Sequence, residues 1–464
     1  MWRIKSEPTG WSDMWADLHK KRPIKWGDAQ EQYKSKLISA DEAAALVKSG
    51  DKIRNNGAPV WPMAFIRALK RRKNELENVR IEQMMNINPT GDDLDLTTPD
   101  CEGHFFLGSW FTLDKRVRDS INAARAASVP MNYGENHLSM LRYAKHDFFI
   151  TEVPAPDKHG FFNNALGTSD TPEGLLTSDK VIFVINDQLP RGLGPENWLH
   201  ISQADYIVED SHQLPIIPSI PSTDAEKAMG TFIADLIEDG STLQLGIGGV
   251  PGTVAMLLKD KKDLGLHSEM LGDTALYLIK EGAMNGLYTK TRPGKMVYTF
   301  VLGTQELYDW LDDNPIAESW PVSYVNDPNV IASNPKQVSI NSAIEVDITG
   351  QVCAESIGHK HYSGSGGQLL FALGALWSPG GKSFIALPST QTIKGQMTST
   401  IVPQLKPGAI VTTPRSLANY IVTEYGVAQL RGKDHKQRIN ELISIAHPDF
   451  RADLRADAKR NGLI

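Results

Sequence analysis

Apolar positions along the chain switch repeatedly between short strand-like runs and the three-to-four-residue spacing of helices, with glycine or proline at most switches. From Ser39 the pattern predicts a helix near Ala40 to Ser49, a strand from Asp51 to Asn55, a turn at Gly57 and Pro59, and a helix from Pro62 to Lys73. The order returns in 240-GSTLQLGIGGVPGTVAMLLKDKKDLGLHSEMLGD-273. There Thr242 to Leu245 read as a strand, Gly246 to Pro251 as a loop, Gly252 to Lys259 as a helix and Leu264 to Ser268 as a second strand. Residues 50–70 and 240–259 match in strand, glycine-containing turn, proline, apolar helix and terminal lysine. Such an echo predicts two similarly built α/β halves.

Two consecutive strands joined by a helix of this length run parallel, with a right-handed crossover, so both following loops leave at the carboxyl edge of one sheet. Glu269, directly after the second strand, is thereby expected beside the glycine loop. A loop presenting backbone N–H groups next to a lone carboxylate suits acyl transfer: the carboxylate attacks a thioester and the N–H groups hold the oxyanion.

Further strands are expected at Phe148 to Val153, Val181 to Ile185, Lys295 to Phe300, Ile385 to Pro388 and Ala409 to Thr412. The proline- and serine-rich run 216–222 marks a boundary, after which Thr223 to Leu236 resumes a capped helical pattern. The expected division is an aromatic arm over 1–28, an α/β domain over 29–218 and a second over 219–464. Trp2, Trp11, Trp15 and Trp26 give the arm more aromatic surface than loose tails keep, so it is expected to pack on a neighbour.

Composition narrows the chemistry. A chain of 464 residues with 41% apolar and 22% charged residues has ample core for two domains. No stretch approaches a membrane span and the start carries no apolar signal core, which predicts a cytoplasmic protein without a membrane partner. A net charge of −7 argues against nucleic acid. The two cysteines, Cys101 and Cys353, lack ligand-spaced neighbours, so neither a disulfide scaffold nor a metal is expected.

The loop Gly246-Ile247-Gly248-Gly249-Val250-Pro251 begins as a dinucleotide fingerprint, but proline stands where the third glycine belongs. That disfavours a nicotinamide or flavin oxidoreductase, and no nucleotide cofactor is expected. A second small-residue cluster, Ser363 to Gly367 in HKHYSGSGGQ, can form a nest of N–H groups or a flexible hairpin. Glu345, Glu424 and Lys433 each have an ordinary structural reading, and Asp157 to Gly160 read as a turn.

The runs PAPDKHGFFNNALGTS (154–169), LQLGIGGVPGTV (243–254), DLGLHSEMLGD (263–273), YVNDPNVIASNPKQVSINSAIEVDITGQVCAESIG (324–358), SGSGGQ (363–368), ALPST (386–390), VTTPRS (411–416), VTEYGVAQLRGK (422–433) and IAHPDFR (445–451) carry a further signal in their order and spacing. By them the chain resembles the acetyl-CoA hydrolase/CoA-transferase family, in the class I group whose nucleophile is glutamate, and especially its 4-hydroxybutyrate and butyryl-CoA:acetate CoA-transferases. The resemblance spans roughly 40 to 455. It implies two α/β domains of the class I CoA-transferase type, acyl-CoA and a small carboxylic acid as substrates, coenzyme A as the group transferred, and a homo-oligomer, most commonly a dimer.

It also implies roles. Glu269 resembles the nucleophile that carries acyl and then CoA. Gly246, Ile247, Gly248, Gly249 and Val250 resemble the CoA-proximal and oxyanion loop; Asn326 and Gly367 resemble groups that stabilise the thioester carbonyl or bind CoA, with Ile344 and Ser363 facing CoA. Glu424 resembles a supporting acid. The alternative reading is an acyl-CoA hydrolase using the same residues with water as acceptor. The segment HFFLGSWF (104–111) and the tryptophan-rich start have no place in the pattern.

Overall fold

The computed structural model describes residues 11–57, 59–85, 91–217, 221–246 and 248–464. They form two compact units: one holds the described residues up to Ile216 together with Thr299–Tyr324, the other those from Ile217 to Tyr298 together with Val325–Ile464. The excursion of Thr299–Tyr324 into the first unit departs from the simple division at 218/219. Its cause is tertiary: Val301 N–H donates to Leu166 O, Ser319 N–H to Leu193 O and Tyr308 Oη–H to Pro215 O, none of which a linear pattern announces.

In the first unit, helix α1 (Trp11–Lys21) precedes strands β1 (Lys52–Asn55), β2 (Val79–Gln83), β3 (Phe105–Ser109), β4 (Ala126–Ser128), β5 (Phe148–Val153), β6 (Lys180–Ile185) and β7 (Tyr206–Glu209). Helix α2 (Met63–Arg71) follows β1. The sheet order is β4-β3-β2-β1-β5-β6-β7, all parallel. Continuous apolar runs such as FFITEV and KVIFVI fit a sheet covered on both faces. Phe148, Ile150, Ile182 and Val184 join one buried cluster with Phe65 and Leu69 of α2, while Phe149, Val181 and Phe183 join another with Trp15 and Leu18 of α1. The arm is thus part of this core. Trp26 departs from that expectation, being 74% exposed beside Phe161 and His200; Trp2 lies outside the described residues.

In the second unit, helix α3 (Asp224–Asp235) is opened by a reciprocal cap between Thr223 and Glu226. It leads into β8 (Thr242–Leu245), helix α4 (Gly249–Leu257), β9 (Gly265–His267), β10 (Met296–Tyr298), β11 (Gln337–Ser342), helix α5 (Gln368–Trp377), β12 (Lys382–Ala386), β13 (Tyr420–Thr423) and β14 (Gly426–Gln429). These strands run β10-β9-β8-β11-β12-β13-β14, parallel but for the β13–β14 hairpin. β1 and β8 therefore hold the same place: each has its successors on one side and the chain's later return on the other. The echo between 50–70 and 240–259 is a shared topology, with a switch point beside β1 and another beside β8, where α/β sheets receive ligands.

Local expectations shift: the helix from Ala40 ends at Ala45, and the strand expected at Ile385 to Pro388 is Lys382–Ala386. α4 begins at Gly249, so Pro251 lies inside its first turn, where an amide has no helical acceptor to lose. Ala409 to Thr412 form no strand; Ile410 and Val411 are exposed, and Thr412 and Thr413 only bridge to Val352. No helix among the described residues is long and apolar enough to cross a membrane.

Candidate active site

The strand pair β8–β9 sets the site's frame. Thr242 stands opposite Gly265 and Leu243 opposite Leu266, and the same offset pairs Leu245 with Ser268, whose hydroxyl lies 3.4 Å from both the nitrogen and the oxygen of Leu245. Extended past the paired residues, the same offset would set Gly246 opposite Glu269. Ser268 and His267 are buried supports. The His267 Nε2–H donates to Val325 O at 2.8 Å, and burial holds its pKa down at about 4, so the ring is neutral at physiological pH.

Glu269 itself is partly buried. The Asn326 amide donates to its Oε1 at 2.6 Å, and this is its hydrogen bond among the described residues. Burial pushes the carboxyl up to about 7 against the smaller opposing effect of Asn326. Gly367, which opens α5, lies so close that an added Cβ would stand 2.1 Å from Glu269 Oε1 and 2.5 Å from Asn326 Nδ2. A side chain at 367 and this carboxylate cannot share the space.

The glycine loop takes a conformation that only glycine adopts easily. Gly248 has φ 132° and ψ 178° and caps α4, with nothing within 4 Å of an added Cβ. Its neighbour Gly249 abuts the Glu226 carboxylate, Val250 is buried, and Ile247 lies outside the described residues. Glu269, Asn326 and Gly367 are thus brought into contact, whereas Gly246 and Gly249 of the loop meet Ile340 and Glu226 rather than these three.

Other candidates stand apart. Glu424 accepts from the Ser389 N–H and hydroxyl. Ile344 N–H donates to Cys353 O and Ser363 N–H to Glu355 O. Glu345 is buried against Lys406 at 3.0 Å, and Lys433 pairs with Glu441 at 2.6 Å. Asp157 accepts from the N–H groups of His159 and Phe161, the turn expected there. Glu152, Asp210 and His212 in the first unit have the makings of a cation site, but His212 lies 3.3 Å from Glu152 and Asp210 also accepts from Ala64 N–H.

The N-terminal domain of the acetyl-CoA hydrolase/transferase family matches residues 20–218, and its C-terminal domain matches residues 303–458. The chain belongs to this family. Its similarity to the succinyl-CoA:cyclohexane-1-carboxylate CoA transferase of Geobacter metallireducens is 42% identity over 435 residues, covering 94% of this chain and 98% of that one. The 4-hydroxybutyrate coenzyme A transferase of Clostridium kluyveri is 40% identical over 432 residues, covering 93% and 99%. The crystal structure of a 4-hydroxybutyrate CoA-transferase from Porphyromonas gingivalis superposes with a TM-score of 0.77 at 33% identity, covering 93% of this chain and 99% of that one. Family membership gives the Glu269, Asn326 and Gly367 constellation a chemical context.

Proposed function

We propose that this CoA-transferase moves CoA from an acyl-CoA to a small carboxylic acid of the acetate, butyrate or 4-hydroxybutyrate kind, with Glu269 as nucleophile. The observation that carries the reading is a partly buried carboxylate held by a neutral amide and flush against Gly367. Ionised Glu269 attacks the thioester carbonyl and expels CoA thiolate, giving an acyl-glutamyl anhydride. The thiolate then attacks the glutamyl carbonyl, releasing the first acid and leaving a glutamyl-CoA thioester; the second acid reverses the steps. Burial supports this because a poorly solvated carboxylate attacks more readily once ionised, at a pKa near 7.

In this reading Gly246 to Val250 and Gly367 supply N–H groups to the oxyanion or to CoA, Asn326 aims the carboxylate, and Ile344 and Ser363 face CoA. Glu424 supports the site through Ser389. Coenzyme A is the substrate, and neither a metal nor a nucleotide takes part. A cytoplasmic homodimer belongs to the same reading, and light scattering on the purified protein reads its oligomeric state. The alternative is a hydrolase in which water takes the place of the second acid.

Incubation with acyl-CoA, followed by borohydride or hydroxylamine trapping and peptide mass spectrometry, tests the proposal. Modification confined to Glu269 is expected, together with parallel double-reciprocal lines when both substrates are varied. Intersecting lines and an unmodified Glu269 would replace the covalent route by direct transfer, and a rate independent of any acid acceptor would favour the hydrolase.

A further inference from the structure

Gly367 owes its place to the turn that precedes it, and that turn is tied down by a residue outside the constellation above. The N–H groups of Tyr362 and Ser363 both donate to the carbonyl oxygen of Glu355, at 2.8 and 3.1 Å. Midway through the turn, the Ser365 hydroxyl donates to the Glu355 carboxylate at 3.2 Å. The Thr412 hydroxyl bonds the same carboxylate and accepts the Ala354 N–H at 2.9 Å. At the far end the Gln368 amide donates to Thr413 Oγ1 at 3.3 Å. Thr412 and Thr413 are in turn fixed to Val352 by main-chain bonds. Both ends of the Ser363–Gly367 turn thus rest on one base, and Glu355, only 7% exposed, is the side chain that grips its middle.

We propose that Glu355 is a positioning residue for the transfer reaction, holding the Ser363–Gly367 turn against the Glu269 carboxylate through Ser365 and Thr412. The inference rests on the reading of Glu269 as nucleophile. Its physical basis is the tight approach at Gly367: with 2.1 Å between an added Cβ and Glu269 Oε1, a small drift of the turn changes both the carboxylate's orientation and the direction of the Gly367 N–H. Displacements of about 1 Å near reacting groups cost up to about a hundredfold in rate. Glu355 touches none of the reacting atoms and acts through the turn.

The test measures the single-turnover rate of covalent labelling of Glu269 by acyl-CoA in the full chain and in Ser365→Ala, Glu355→Leu and Glu355→Gln, with thermal melts alongside. Ser365→Ala removes one hydroxyl from a partly exposed turn residue and is expected to fold normally while labelling about tenfold more slowly, with the KM for acyl-CoA nearly unchanged. Glu355→Leu removes the side chain's grip and is expected to slow labelling further, whereas Glu355→Gln keeps the shape, an acceptor oxygen for one hydroxyl and an amide N–H that can donate to the other, and is expected to restore most of the rate. Labelling at the native rate in folded Ser365→Ala overturns the proposal, whatever Glu355→Leu does to stability; so does a Glu355→Gln variant as slow as Glu355→Leu. Absence of label on Glu269 in the unaltered protein defeats the reading of the nucleophile and is seen before any variant is compared.

Discussion

The two units place a carboxylate near the carboxyl edge of the same kind of sheet and treat it in opposite ways. In the first, Asp170 is fully buried and fully answered: it pairs with the Arg54 guanidinium, accepts from Asn136 at 2.8 Å and takes the Gly57 N–H at 2.9 Å. Arg54, also fully buried, lies 3.4 Å from the centre of the Trp110 ring, which gives the otherwise unplaced segment HFFLGSWF its structural role. In the second unit, among the described residues, Glu269 hydrogen-bonds only to a neutral amide, and burial raises its pKa to about 7. One scaffold thus holds a carboxylate spent on fixing a glycine turn and another kept short of partners. In the proposed mechanism reactivity follows from what was left unpaired, since a carboxylate already neutralised by a guanidinium is a poor nucleophile.

The largest expected effects separate these roles. Glu269→Gln keeps the shape and the acceptor for Asn326 but removes the nucleophilic oxygen, so exchange is expected to fall by more than about a hundredfold with the fold intact. Residual activity above about one per cent would remove Glu269 from the mechanism. Asp170→Asn removes the carboxylate paired directly with buried Arg54 and leaves Glu82 as its charged neighbour, which costs up to about 3 to 5 kcal/mol. A lowered denaturation midpoint is expected, with the protein that stays folded still labelling at Glu269. Lost chemistry at unchanged stability would erase the distinction between the two units.

The same contrast appears in the pH dependence of stability. The Glu269 carboxyl is raised in the folded protein from an ordinary 4.5 to about 7. Its contribution is therefore fully present below about 4.5 and is lost as pH rises through about 7. Glu269→Gln does not titrate there. Its stability relative to the unaltered protein is expected to improve by about 1 to 2 kcal/mol between pH 5 and 8, allowing for partial exposure. Matched denaturant titrations at the two pH values read this directly, and a flat difference would mean that the carboxyl is not raised.

Much of this was legible in the chain, for identifiable reasons. The β8–α4–β9 unit shows because strand, glycine loop and helix are local, and the parallel rule then sets β9 beside β8 without any long-range information. The partnership of Arg54 with Asp170 does not show, since it spans 116 residues and each residue alone has an ordinary surface reading. Glu355 is hidden for a similar reason: its role depends on a turn and on Thr412, which the apolar run Ala409 to Thr412 disguised as a strand. The excursion of Thr299–Tyr324 into the first unit likewise has no local mark.

Two glycines offer finer tests of how the second site is built. Gly367→Ala is expected to lower kcat by about a hundredfold, because its Cβ meets Glu269 and Asn326 while its own φ of −99° is ordinary and leaves the fold unstrained.

Gly248→Ala is the milder change, and its effect has the opposite origin. An added Cβ there meets nothing within 4 Å, so crowding plays no part; the cost comes from φ 132° and ψ 178°, a region that side-chain-bearing residues avoid by about 1 to 3 kcal/mol. The loop can release that strain only by turning the peptide groups at the start of α4, which in the proposed mechanism face the thioester. Stability is therefore expected to drop by no more than this amount, with a rise in the KM for acyl-CoA exceeding any loss in kcat. A variant with full stability and native KM would show that the loop relaxes freely, and its glycine would then serve the turn alone.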